Sequence, residues 1–199
     1  MATRPTLIVP AAGQGSRFGG PQHKLAAEFE GRSVLGWTVL RAIESRLPVL
    51  VVTTEALLPL VDPLLDPRDV LVISQAEALR GMGATIAAGV VERSGAPGWL
   101  VLPADMPLVR PASILAVAAA LDQHAVTYAQ HRGRRGHPVG FAAELYSELI
   151  QLQGDEGARR VVARYPAHGV ELDDRGVLVD VDTEADLQAL RRSGPDAGA

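Results

Sequence analysis

Four short runs of valine, leucine and isoleucine, at residues 7–9, 49–52, 70–73 and 100–102, are apolar at every position rather than at every second one. A strand with that pattern is buried on both faces, and such strands belong to parallel sheets covered by helices. The segments 34–46, 56–65 and 82–93 lie between the runs and carry apolar residues three and four apart, as amphipathic helices do. Strand and helix in alternation predict right-handed crossovers and a three-layer α/β domain, a mostly parallel sheet with helices on both faces.

Beyond residue 107 the pattern loosens. A helix is expected over 111–123, then two strands, 125–129 and 137–141, joined by a turn at 132–136 that makes a small β excursion. Helices are expected at 143–151 and 156–165, with strand material at 170–172 and 177–181. Thr183 precedes two acidic residues, Glu184 and Asp186, and so caps a last helix over 184–192. One domain over 1–192 and a frayed tail, 193–199, account for the length.

Composition narrows the function. The formal charge is -4 and the pI about 5.7, which offers no basic field for long nucleic acid. There are no cysteines, so disulfides and thiolate metal sites are absent. The start is too short for a signal-peptide core and no stretch approaches a membrane span, which makes the expected location cytoplasmic and no membrane a partner.

Ligands of open α/β sheets sit beyond the carboxyl ends of the strands. Three features fall there: a glycine-rich segment after the first run, Thr53 after the second, and Asp105 after the fourth. The first contains Ala11, Ala12, Gly13, Gly15, Ser16 and Arg17, and it closes on Lys24, the single lysine beside eighteen arginines. Glycine-rich backbone forms an anion cradle; Arg17 suits bidentate phosphate contact, and Lys24 supplies a compact mobile ammonium. The spacing matches neither the Walker loop, which needs Gly-Lys-Ser/Thr, nor the dinucleotide fingerprint. Asp105 beside a polyphosphate calls for Mg²⁺ between them, although the same residue could close a turn or cap a helix. Asp180 and Asp182, two apart, would share a face of a continuing strand, and one of them could complete the metal shell. His23 reads as a phosphate contact or as a solvent-exposed loop side chain.

Taken in order, Ala11-Ala-Gly-x-Gly-x-Arg-Phe-Gly with its following lysine, Gly81-Met-Gly-Ala-Thr, Ala104-Asp-Met-Pro, Gly136-His-Pro-Val, Gly154-Asp-Glu-Gly-Ala-Arg159 and Asp180-Val-Asp-Thr resemble the nucleotidyltransferases that complete molybdenum cofactors. Among these the sequence is most similar to the cytidylyltransferases. The resemblance implies a Rossmann-like, GT-A-like nucleotidyltransferase domain that moves CMP from CTP, with Mg²⁺, onto the phosphate of molybdopterin cofactor. It further implies catalytic Lys24, Arg17 and Asp105, with Gly81 and Met82 beside the base. His137, Asp155 and Arg159 would face the acceptor, and Asp105, Asp180 and Asp182 the metal. A molybdoenzyme or its maturation factor is the implied protein partner. Use of GTP, reduction of a heteroaromatic compound by a nicotinamide nucleotide, and non-catalytic carriage of the cofactor are the alternatives. Two departures stand out: Pro10 where leucine is usual, and an Arg17–Lys24 spacing one or two residues longer than usual.

Overall fold

A computed structural model describes residues 4–13 and 23–193. Gly15, Ser16, Arg17 and the tail beyond 193 lie outside the described residues.

The central sheet has seven strands. They are β1 (Thr6–Ala11), β4 (Val49–Thr53), β5 (Val70–Val72), β6 (Gly98–Val101), β7 (Val126–His131), β8 (Arg134–Ala142) and β9 (Ala167–Glu171). Their order is β5-β4-β1-β6-β8-β7-β9, and β8 alone runs against the others. A separate two-stranded ribbon joins β2 (Glu28–Phe29) to β3 (Arg32–Ser33).

The unbroken apolar runs divide by parity. In β1 and β4, Leu7, Val9, Val49 and Val51 enter one core, while Ile8, Leu50 and Val52 enter the other. The first core is closed by α1 (Val34–Glu44), α4 (Pro111–Ala120) and α7 (Glu184–Ser193). The second is closed by α2 (Gln75–Ala78), α3 (Met82–Glu92), α5 (Tyr146–Leu149) and α6 (Arg159–Arg164). Trp99 on β6, fully buried, anchors the second layer and donates its indole N–H to the Arg93 carbonyl at 3.0 Å.

Three expectations change. The 125–129 and 137–141 segments do pair, but as β7 and β8 they extend the main sheet, because β8 takes up the ladder of β6 from Gly98↔Ala142 to Val101↔Val139. The small separate β element is instead the β2–β3 ribbon. No α-helix spans 56–65: Pro59 and Pro63 remove backbone donors, and a 3-10 turn, Leu58–Leu60, forms in their place. Nor is there a strand at 177–181. Asp174 caps a 3-10 turn, Arg175–Leu178, by accepting from the Gly176 amide, and the chain crosses β7 and β8 so closely that the Val177 carbonyl fills the space a side chain at Gly136 would need. The short helix α2, with a full Ser74/Glu77 capping box, was not foreseen.

The order of strand addition reverses about β1: β4 and β5 extend the sheet to one side, β6 to the other. The crevice at that switch point receives the carboxyl ends of β1, β4 and β6.

Candidate active site

Lys24 opens a 3-10 turn, Lys24–Ala26, pinned by the buried side chain of Leu25. Its ammonium reaches two carboxylates from distant parts of the chain, donating to Asp105 Oδ2 at 2.6 Å and to Asp182 Oδ1 at 2.7 Å. The three side chains are 15, 17 and 25% exposed. Asp105 stands just past β6, and the Asp105 carbonyl accepts from the Val181 amide at 2.9 Å, which docks the 180–183 segment beside it. Burial works against the charge on Lys24, but the Asp105 and Asp182 carboxylates outweigh it and hold the pKa above the ordinary lysine value.

The Oδ1 atom of Asp105 is buried and has no hydrogen-bond partner among the described residues. A buried, unsatisfied carboxylate oxygen is costly unless something electropositive meets it. Asp105 and Asp182 therefore fit a divalent cation that keeps several waters and draws its remaining ligands from substrate phosphates, the usual arrangement for Mg²⁺. No group of three or more His, Asp or Glu side chains among the described residues forms an all-protein metal cage.

Asp180 does not share in the Lys24 contacts. Its carboxyl is held above the usual range by burial first, then by Asp105 and Asp182, with Lys24 opposing. The alternation argument for Asp180 and Asp182 lacks its strand; the Val181–Asp105 bond holds the segment from which Asp182 meets Lys24.

Two cavities meet at this cluster. One, about 440 Å³, is lined by Pro10, Gly13, Lys24, Ala78, Leu79, Gly81, Met82, Thr85 and the Asp105 and Asp182 carboxylates. The other, about 460 Å³, has an apolar floor of Ile86, Val101, Val139, Phe141 and Val162, and a polar rim of Arg135, His137, Asp155, Arg159 and Asp180. Pro10, Lys24, Met82, Asp105, Asp155 and Asp182 line both. Each volume suits a small organic ligand.

Gly13, Lys24, Gly81, Met82 and Asp105 thus converge, with Asp182, on one side of the crevice. His137 and Arg159 gather on the other, and Asp155 borders both. Ala11 and Ala12 are buried and contribute backbone. Thr53 stays out of the crevice: its side chain is fully buried and its hydroxyl faces the Ala11 carbonyl at 3.4 Å. Burial, the first cause, and Arg159 hold the His137 imidazole below its ordinary pKa against the pull of Asp105.

Gly81 owes its identity to geometry. It has φ +93°, and a Cβ there would stand 2.5 Å from the Gly154 carbonyl carbon and 2.7 Å from Asp155 Oδ1. The Gly83 amide donates to the Gly154 carbonyl at 2.8 Å, which ties the start of α3 to the segment carrying Asp155. The sequence did not single out Pro10 as a wall of both cavities, nor Ile86, Val101, Phe141 and Val162 as an apolar floor.

A seven-stranded mixed sheet with a two-carboxylate, one-lysine cluster at its switch point defines the chain as an α/β nucleotidyltransferase fold. Residues 7–170 match the family described as the MobA-like NTP transferase domain, and the chain belongs to that family. It is a nucleotidyltransferase that draws on a nucleoside triphosphate. The purine catabolism protein PucB of Bacillus subtilis is 33% identical over 92% of this chain and 94% of its own length. Rv0371c of Mycobacterium tuberculosis superposes with a TM-score of 0.82 at 26% identity, over 96% of this chain and 100% of that one. Its manganese complex gives 0.79 at 23% identity over the same shares, a likeness of fold. No helix among the described residues is long and apolar enough to cross a membrane.

Proposed function

We propose that this protein transfers CMP from CTP to the terminal phosphate of molybdopterin cofactor and releases pyrophosphate. One observation carries the reading: Lys24, Asp105 and Asp182 form a single cluster at the seam between two ligand-sized cavities. A transfer enzyme needs that layout, with donor on one side, acceptor on the other, and charge compensation where they meet.

The triphosphate lies in the cavity of Gly13, Gly81 and Met82, its phosphates toward Lys24. Arg17, on the same segment, adds a second cation. Asp105 and Asp182 would hold Mg²⁺, which would supply neutralisation of phosphate charge; a manganese complex of a structurally similar protein supports a divalent ion. Asp180 stands at the acceptor rim, outside the Lys24 contacts.

The acceptor occupies the larger cavity. Its flat ring system rests on Ile86, Val139, Phe141 and Val162, and the rim groups Arg159, Arg135 and His137 meet its polar edge and phosphate. A phosphate monoester is already ionised at neutral pH, with a second pKa of about 6, so no general base is required. An acceptor oxygen attacks the α-phosphorus; the bond to the bridging oxygen breaks, and the electron pair leaves with pyrophosphate. As the charge shifts toward that leaving group, Lys24 follows it, which a rigid guanidinium would do less well.

The relative named for purine catabolism supports a further element, that the completed cofactor serves purine breakdown. The test is pyrophosphate release from CTP, GTP, ATP and UTP with Mg²⁺, with and without molybdopterin. Release from CTP that depends on molybdopterin is the expected result. A preference for GTP would move the assignment of base, and absence of release from every nucleotide would remove the transfer reaction.

A further inference from the structure

Lys24 and Gly13 are ten residues and more apart in sequence, yet one side chain joins them. His23 Nδ1 accepts from the Leu25 amide at 3.1 Å, and His23 Nε2 lies 2.7 Å from the Gly13 carbonyl. A ring nitrogen that accepts from an N–H carries no proton, so the neutral imidazole has its proton on Nε2 and donates it to Gly13. Both nitrogens are then engaged. Neither is left for a phosphate.

We propose that His23 is a positioning residue for Lys24: its neutral imidazole clasps the exit of β1 to the turn that carries the lysine. The turn is short and needs fixing at both ends. On its far side Leu25 is buried in the core and the Ala27 carbonyl accepts from the Val34 amide at 3.0 Å. On its near side His23 supplies the fixed point, as the cap of the turn through Nδ1 and as a cross-tie to the sheet through Nε2. The tie bypasses residues 14–22. The unusual Arg17–Lys24 spacing therefore need not move the ammonium, because the distance from β1 to Lys24 is set by His23 and not by the length of the intervening chain. The same clasp engages the carbonyl oxygen of Gly13, a residue that lines the donor cavity.

The assignment rests on the transfer reading for its consequence, but the clasp can be read out separately. Nitrogen-15 NMR of the imidazole should show the Nε2–H tautomer for His23; an Nδ1–H tautomer would overturn the clasp whatever the enzyme does. Three variants then divide the two bonds. His23→Asn keeps a capping oxygen for Leu25 but is too short for Gly13, His23→Ala loses both, and His23→Gln can still offer an N–H to Gly13.

With inorganic tripolyphosphate as the probe, His23→Asn and His23→Ala should bind about tenfold more weakly than wild type, and His23→Gln should recover most of the loss. In turnover kcat should fall more than KM rises, since misplacing the ammonium is felt most where charge develops. Wild-type binding and kinetics in His23→Asn would leave the cap alone as its role and overturn the cross-tie. Failure of the wild-type protein itself to bind tripolyphosphate would instead overturn the transfer reading, with the NMR result still deciding the clasp.

Discussion

Replacing Lys24 with methionine removes the charge while keeping most of the stem, and leaves Asp105 and Asp182 facing each other across the space the ammonium held. Their oxygens were 2.6 and 2.7 Å from one nitrogen, and neither side chain is more than 25% exposed. Two carboxylates about 5 Å apart at an effective dielectric of about 20 repel by about 3 kcal/mol, the lower end of what breaking a buried pair costs. For a domain of this size each kcal/mol moves Tm by about 2–4 °C, so the variant should melt about 6–12 °C lower. A divalent cation reverses this. At a hundred times its dissociation constant, bound Mn²⁺ contributes about 2.7 kcal/mol, nearly the whole loss. In the wild-type protein the ammonium already compensates the same two carboxylates, so Mn²⁺ alone should raise Tm by much less. Differential scanning fluorimetry across a Mn²⁺ titration of wild type, Lys24→Met and Lys24→Met/Asp105→Asn makes the comparison. The double variant should regain stability without metal and lose the metal response. Equal Mn²⁺ shifts in all three proteins, or a single variant that melts with wild type, would refute the view that ammonium and cation answer to the same pair of carboxylates.

Gly81→Ala should both strain φ +93° and push into the Gly154–Asp155 backbone, costing about 2 kcal/mol in denaturant unfolding and raising KM for nucleotide and acceptor together; a change in neither KM would separate Gly81 from the seam. Asp174 is 2% exposed and accepts from the Arg110 amide, the Ser113 hydroxyl and the Gly176 amide at 3.0, 2.6 and 2.8 Å, so Asp174→Ala should destabilise by about 3 kcal/mol and weaken Mn²⁺ binding through loosened Asp182. His137 has a folded pKa below its unfolded value, so the unfolded chain takes up its proton first. Its contribution is complete above pH 6.5 and is lost as pH falls toward the folded pKa; His137→Gln should flatten that part of the stability profile measured by urea titration. For Asp180 the sign is opposite. A carboxyl raised in the fold loses stability as pH climbs from 3.8 through the raised value, and Asp180→Asn should gain less than about 1 kcal/mol at pH 7, since the side chain keeps solvent contact, and nothing below pH 3.8.

The amino-acid sequence determined what short-range chemistry can determine. Unbroken apolar runs such as 49–52 have one stable use, a strand between two helical layers, and their alternate residues fall into two cores with no further information. The cap at Thr183 closes its bond within three residues and was readable in the same way, as was the crowding of chemistry at strand ends. Tertiary structure alone decided which carboxylate answers Lys24. Asp182 and Asp180 are equivalent in sequence, and the difference between them comes from the bonds of Asp174 to Arg110 and Ser113 and from the Val181–Asp105 bond, contacts of long sequence separation that dock the chain on either side of the 175–178 turn. The same held for β8, whose antiparallel place beside β6 depends on a free ladder edge rather than on its own residues, and for His23, whose partner Gly13 lies ten positions away. Local preferences are set by a residue and its neighbours. Pairing across the fold is set by which surfaces remain to be satisfied once the layers have closed.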